Sequence, residues 1–170
     1  MWTETFEERH KLGLEPLSDG KNVTRYYYYT HERPCDEGYE YDVYEFPAGT
    51  TERSAMLALI DEYDKSDAVN SFTLNGRKTW LPLEKRKSMR QSIIALQAMG
   101  VSEFTYWLGL MPITMPMSRF EQLLNVLEIY ALRCFNVTAQ HMAHVMSLPM
   151  DQIPTYDYTI DYPDHLDITV

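Results

Sequence analysis

Between residues 72 and 147 the apolar and polar positions change period several times, and each change marks an element. Residues 70–74 and 77–81 are short runs of β-formers separated by Asn75-Gly76. That dipeptide tolerates positive φ at both positions and predicts a β-hairpin. Two registers are open. A two-residue turn sets Phe72 opposite Thr79 and turns Trp80 away; a glycine bulge at Gly76 shifts the pairing by one and gathers Phe72 and Trp80 on one face. The bulge is the preferred reading because it joins the two large rings. Pro82-Leu83-Glu84 opens a helix, since the N–H that Pro lacks has no partner in a first turn anyway. Met89, Ile93 and Leu96 give it one apolar stripe, and Gly100 ends it. Residues 104–108 and 110–115 flank Gly109 as a second hairpin, with Pro112 marking an edge or bulged strand. Ser118 and Glu121 have the spacing of a capping box and predict the start of a long helix. Phe120, Leu123, Leu124, Leu127, Ala131, Cys134, Thr138, Met142 and Val145 recur along it to Ser147. A break at Asn136-Val137-Thr138 stays open, because three weak helix formers meet there.

Ahead of this stretch, residues 1–21 show little periodicity and read as an arm or loop for a partner to order. Residues 24–46 read as a Tyr-rich hairpin. Its run Tyr26-Tyr27-Tyr28-Tyr29 needs cover on both faces, and Tyr39, Tyr41 and Val43 alternate with Glu40 and Asp42. A helix follows from about residue 51, with Ala55, Met56, Leu59, Ile60 and Tyr63 on one face. After Pro149, Tyr156, Tyr158, Ile160 and Tyr162 alternate with Asp157, Thr159 and Asp161, as a strand or as a tail that docks on a neighbour. Together the elements predict an α+β fold. The hairpins at 70–81 and 104–115 share one antiparallel sheet, packed on helices at 83–99 and 118–147, with the Tyr-rich hairpin and helix in front. The predicted divisions are an N-terminal part at 1–66, a core at 67–148 and an acidic tail at 149–170.

Composition narrows the function classes. Of 170 residues 45% are apolar, enough for a real core. No run is long and apolar enough to span a bilayer, and the acidic start lacks the basic residues and apolar run of a secretory signal. Two cysteines far apart, Cys35 and Cys134, suit a reducing compartment. The net charge of −10 is uneven: residues 1–67 hold 16 acidic and seven basic side chains, residues 68–133 four and eight, and residues 134–170 five Asp with no Lys or Arg. Such a chain repels a polyanion, so nucleic-acid binding is not expected, and the segregation suggests complementarity within or between subunits.

Candidate chemistry is thin. His141 and His144, three apart on a helix, share a face, but zinc needs three or four ligands and no partner set is visible. Cys134 sits on the core stripe, where a thiol is inert rather than nucleophilic. Arg77, Lys78, Lys85, Arg86, Lys87 and Arg90 form a basic cluster that reads either as a partner surface or as a solvated helix face. Lys85, Arg86, Lys87 and Arg90 are the partner-binding candidates within it, with the Asp-rich tail as their electrostatic match. Tyr27, Tyr29, Tyr39, Tyr41, Tyr156, Tyr158 and Tyr162 are candidates for an aromatic contact surface, with sheet packing an equal alternative. No phosphate loop, dinucleotide fingerprint or nucleophile elbow is present. No catalytic residue, metal or cofactor is expected.

The chain carries the strings Phe72-Thr73-Leu74-Asn75-Gly76, Trp80-Leu81, Arg86 through Ile93, Trp107-Leu108, Pro116 with Ser118, Tyr130-Ala131-Leu132 and Asn136-Val137-Thr138-Ala139-Gln140-His141. On them, residues 67–148 resemble a domain of unknown function found in phage and prophage tail-associated proteins, in the form carried by phages of gut anaerobes. Ser118 stands where relatives often have Asp, and both residues cap helices. The resemblance implies a virion setting: a tail, baseplate or tail-fibre-attachment component, made in the bacterial cytoplasm. It would act by contact with other phage tail proteins or with its own copies; whether the Tyr-rich surface touches a host glycan stays open. A tail-fibre assembly factor that leaves the particle is the alternative. The family offers no catalytic residues to carry over.

Overall fold

The computed structural model describes residues 1–170. In chain order the elements are β1 (Trp2–Phe6), β2 (Gly13–Ser18), β3 (Val23–Cys35), β4 (Gly38–Pro47), α1 (Glu52–Asp64), β5 (Phe72–Leu74), β6 (Arg77–Thr79), α2 (Leu83–Ala98), β7 (Glu103–Leu108), β8 (Met111–Pro116), α3 (Met117–Ser147), a 3-10 turn (Ile153–Thr155) and β9 (Asp167–Ile168). The fold is α+β, as the pattern predicts. The chain forms two compact units, one of residues 1–64 with 137–161 and one of residues 65–136 with 162–170. The first division lies next to the expected joint. The expected tail at 149–170 is instead shared between the units, and α3 runs unbroken through the Asn136/Val137 division.

The first unit is built on an antiparallel sheet of order β1-β4-β3-β2. Residues 1–21, expected to need a partner for order, form both edges of this sheet. The reason is burial: Phe6 and Leu12 pack on the buried group Tyr29, Tyr41 and Val43. The Tyr run covers both faces as its composition requires. Tyr28 points to a second group made of Ala55, Met56, Leu59 and Ile60 from α1, Val145 from α3, and Ile153 and Tyr158 from the segment after α3. Two local devices fix α1 and the end of α3. Thr51 and Ser54 cap α1 reciprocally: the Ser54 N–H donates to Thr51 Oγ1 (3.2 Å) and the Thr51 N–H to Ser54 Oγ (2.9 Å). Arg53 donates to the carbonyls of Val145 (3.2 Å) and Leu148 (2.7 Å), groups that the end of a helix leaves unpaired. Gly13, at φ +100, sits where a Cβ would run into the Glu52 carboxylate that accepts from the Leu14 N–H.

The second unit corrects the predicted sheet. The hairpins β5-β6 and β7-β8 lie in different sheets. The second edge of β5 is taken by β9, which pairs with it in parallel, Thr73 opposite Asp167 and Leu74 opposite Ile168. The β7-β8 hairpin pairs only with itself, and Pro112 and Pro116 deny β8 the donors for a further ladder. Its inner face, Phe104, Tyr106, Ile113 and Met115, packs on α3, with the Phe104 and Phe120 rings stacked at 4.3 Å. The preferred bulge at Gly76 is also overturned. Phe72 pairs with Thr79, and Asn75 (φ 49) and Gly76 (φ 76) make a two-residue turn. Trp80 lies just past the strand, from where its ring still meets Phe72 edge-on at 6.5 Å. The capping box at Ser118 is not formed as expected. The helix starts at Met117, whose N–H donates to the Ser102 carbonyl, and Glu121 accepts instead from Gln97 Nε2 at 3.2 Å.

Candidate functional site

Of the seven tyrosines proposed as a contact surface, three are interior and four are half-buried. Tyr29, Tyr41 and Tyr158 are buried. Tyr27 is half-buried beneath Trp2, 5.0 Å away in an edge contact, and Tyr39 lies under the Arg9 guanidinium at 5.3 Å. Burial, with Glu4 and Glu15 nearby, pushes the Tyr29 phenol up to about 12. Burial also raises Tyr158, next to Tyr44 and Asp42. These phenols stay neutral at any physiological pH and serve as large apolar bodies with one polar tip. The aromatic-surface reading therefore fails for Tyr29, Tyr41 and Tyr158. For Tyr29 and Tyr41 the physical reason is that adjacent strand residues face opposite sides of a sheet covered on both; Tyr158 lies in the irregular segment after α3 and packs with Met56, Leu59 and Ile60 of α1.

The basic cluster is also dispersed. Arg86 is 4% exposed. Its Nη1 donates to the Leu81 carbonyl at 2.6 Å and its Nε to Glu128 Oε2 at 2.9 Å, so it is a core arginine and not a partner contact. Lys87 pairs with Glu84 in its own helix (2.9 Å), and Lys78 with Asp67 (3.0 Å). Lys85 sits over the Tyr106 ring at 5.5 Å, and Arg90 is half-buried. In the tail, Asp157 accepts from Thr159, while Tyr162 is half-buried.

Polar groups do converge in the first unit. The ring of His31, at φ 52 on the irregular stretch of β3, has Nδ1 3.0 Å from Asp42 Oδ2 and lies 5.2 Å from the Tyr158 ring. Arg33 grips the same carboxylate with both terminal nitrogens, at 3.0 and 2.6 Å. Burial alone would raise Asp42, but the hydrogen bonds from Arg33 and His31 outweigh it and hold the carboxyl below the usual range. Nearby, a cleft of about 390 Å³ is lined by His141, His144, Tyr156, Gln140 and Asp161 among others. His141 is buried. Its Nε2 lies 3.0 Å from the Ile160 carbonyl, which only accepts, so Nε2 carries the proton and Nδ1 accepts from the Tyr156 hydroxyl at 2.6 Å. Burial, then Asp161 and Asp157, raises the Tyr156 phenol, so no phenolate is held there. His144 is exposed, its ring 5.1 Å from that of Tyr156. No Ser or Cys nucleophile joins this pair, and no three His, Cys, Asp or Glu side chains converge as a metal set. With both ring nitrogens engaged, His141 clamps residues 156–160 onto α3. Cys134 is buried with its Sγ 4.0 Å from the Val69 carbonyl, in keeping with an inert thiol.

The surface that periodicity missed lies on α3 in the second unit. Val126, Ile129, Leu132 and Phe135 are exposed, Phe135 at 65%. Beside them run two grooves, one lined by Arg119, Leu123, Val126, Ile168 and neighbours, the other by Ile129, Tyr130, Arg133, Leu166 and neighbours. The signal was present in the sequence: from Leu123 to Phe135 the helix is apolar nearly all round, more than one core-facing stripe needs. Trp107 and Leu110 add exposed apolar surface at the β7-β8 hairpin. No helix is long and apolar enough to cross a membrane. No family model, curated protein or solved structure matches the chain.

Proposed function

We propose that the chain is a non-enzymatic structural component of a phage tail, at the baseplate or where fibres attach, acting by protein–protein contact in a multi-chain particle. The observation that carries this reading is the exposed apolar face of α3 at Val126, Ile129, Leu132 and Phe135. These side chains step round about half of the helix, interrupted by Asn125, Glu128 and Arg133, and exposed apolar area of this extent marks an interaction site more often than a solvated surface. The setting rests on the resemblance expected from the sequence strings of residues 67–148, which no family model matches. In the histidine cleft both ring nitrogens of His141 are engaged, with Tyr156 and Ile160, which weighs against the metal reading of His141 and His144. Mass spectrometry of purified particles tests the reading, with the chain expected at a fixed ratio to other tail proteins.

A second reading, a tail-fibre assembly factor released before completion, draws on the same face, because transient binding of fibre chains also needs exposed apolar area. Presence in infected-cell assembly intermediates and absence from finished particles would select it. A small metal-dependent enzyme using His141 and His144 is the reading that the geometry favours least.

A further inference from the structure

We infer that the arginine-flanked groove beside α3 in one copy receives the acidic edge strand β1 of a second copy. This rests on the reading of the chain as a subunit of a multi-chain particle. The two units differ sharply in charge: residues 1–64 with 137–161 hold 18 Asp and Glu against six Lys and Arg, while residues 65–136 with 162–170 hold seven against nine. The first unit uses Arg9, Arg25 and Arg33 in ion pairs with its own Glu32, Glu45, Glu40 and Asp42, which leaves a surplus of carboxylates. Three of these, Glu4, Glu7 and Glu8, lie on β1 and just after it. None of the three is in an ion pair, and the exposed Trp2 stands beside them. β1 is a sheet edge, so its outer main-chain groups are open.

The receiving surface has the complementary chemistry. The two grooves meet at Val126 and run on along α3: Leu123, Val126 and Ile168 floor the first part, Ile129 and Leu166 the second, with Arg119 lining the first and Arg133, beside Asp164, the second; neither arginine is in an ion pair. β9 beside it is also a sheet edge. An extended acidic strand with an exposed aromatic fits this groove by its side chains and its charge, in the manner of strand addition at a sheet edge. Groove and strand are different surfaces, so the contact is head-to-tail and repeats into a ring or a filament.

Sedimentation of the full chain at low salt tests this with two variants, Arg119→Glu with Arg133→Glu, and Glu4→Lys with Glu7→Lys and Glu8→Lys. Circular dichroism and thermal melts of each verify folding. The wild-type chain is expected to form species larger than its 20.0 kDa monomer, in a concentration-dependent way that salt weakens. Each variant alone is expected to stay monomeric, and an equimolar mixture to regain the larger species, because every contact between unlike variants pairs opposite charges. Wild-type chain that stays monomeric, variants that assemble like wild type, or a mixture that fails to regain assembly would overturn the inference. A monomeric chain found in particles contradicts this contact alone; a self-assembling chain absent from particles contradicts the tail reading alone.

Discussion

The two units solve the same burial problem with different side chains. The first closes around rings: Tyr28 and Tyr158 on the α1 side of its sheet, and Tyr29 and Tyr41 on the other, with arginines tied to carboxylates at the rim. The second closes around Leu, Ile, Met and Phe from α2, α3 and the two hairpins, and leaves a band of the same residue types uncovered on α3. Tyrosine is the residue most readily read as a contact surface, and here no tyrosine is fully exposed, with Tyr28, Tyr29, Tyr41 and Tyr158 interior. The aliphatic helix, readily read as core, carries the uncovered face. Exposure, not residue type, separates a binding surface from a packing surface.

The largest effects should come from the two cores. Tyr158→Ala is expected to cost about 3–5 kcal/mol and Leu127→Ala about 2–5 kcal/mol, since both sites are sealed and collapse poorly. Hydrogen exchange should show lost protection in the first unit for Tyr158→Ala and in the second for Leu127→Ala. A change in the denaturant melt of less than about 0.5 kcal/mol at either site would mean that it is not core. Arg86→Met is the next test. It leaves the Leu81 carbonyl without its donor, a loss on the order of 1–3 kcal/mol. The adjacent exposed Lys87→Met should stay within about 0.5 kcal/mol. Equal effects at the two positions would return Arg86 to the surface.

The smallest effect is electrostatic and belongs to the first unit. Asp42 titrates below its ordinary value in the folded chain because of Arg33 and His31. The stability it contributes is therefore fully present above the unfolded carboxyl pKa of about 3.9 and is lost as pH falls through the lower folded value. Denaturant midpoints followed down through that range should fall less steeply for Asp42→Asn than for wild type. Identical slopes would mean that the Arg33–Asp42–His31 cluster contributes nothing to acid stability.

Local signals in the sequence placed most elements. Asn75-Gly76, Gly109 and Pro149 mark real turns and ends, and the α1, α2 and α3 periodicities fall on helices in the structure. What local pattern does not contain is pairing between distant segments. The parallel ladder from β5 to β9 joins residues far apart in sequence, and it takes the edge of β5 that the second hairpin was expected to share. The same limit hid the order of residues 1–21, whose Phe6 and Leu12 find cover only from Tyr29 and Tyr41. At the candidate sites, Lys85, Arg86, Lys87 and Arg90 are close in sequence but turn to different sides of α2, and Arg86 goes inward because Leu81 and Glu128 offer it partners. The α3 face was legible in principle, as excess apolar residues beyond one stripe, but only a structure tells which of them are left over.

The claim that joins these observations is that the α3 face is covered when the protein works. Hydroxyl-radical footprinting of the isolated chain and of purified particles measures this at Ile129, Leu132 and Phe135. All three should be labelled readily in the isolated chain and protected in the particle, while Met99, exposed just past the end of α2, keeps its labelling as a reference. Equal labelling of Phe135 and Leu132 in both samples would contradict the account.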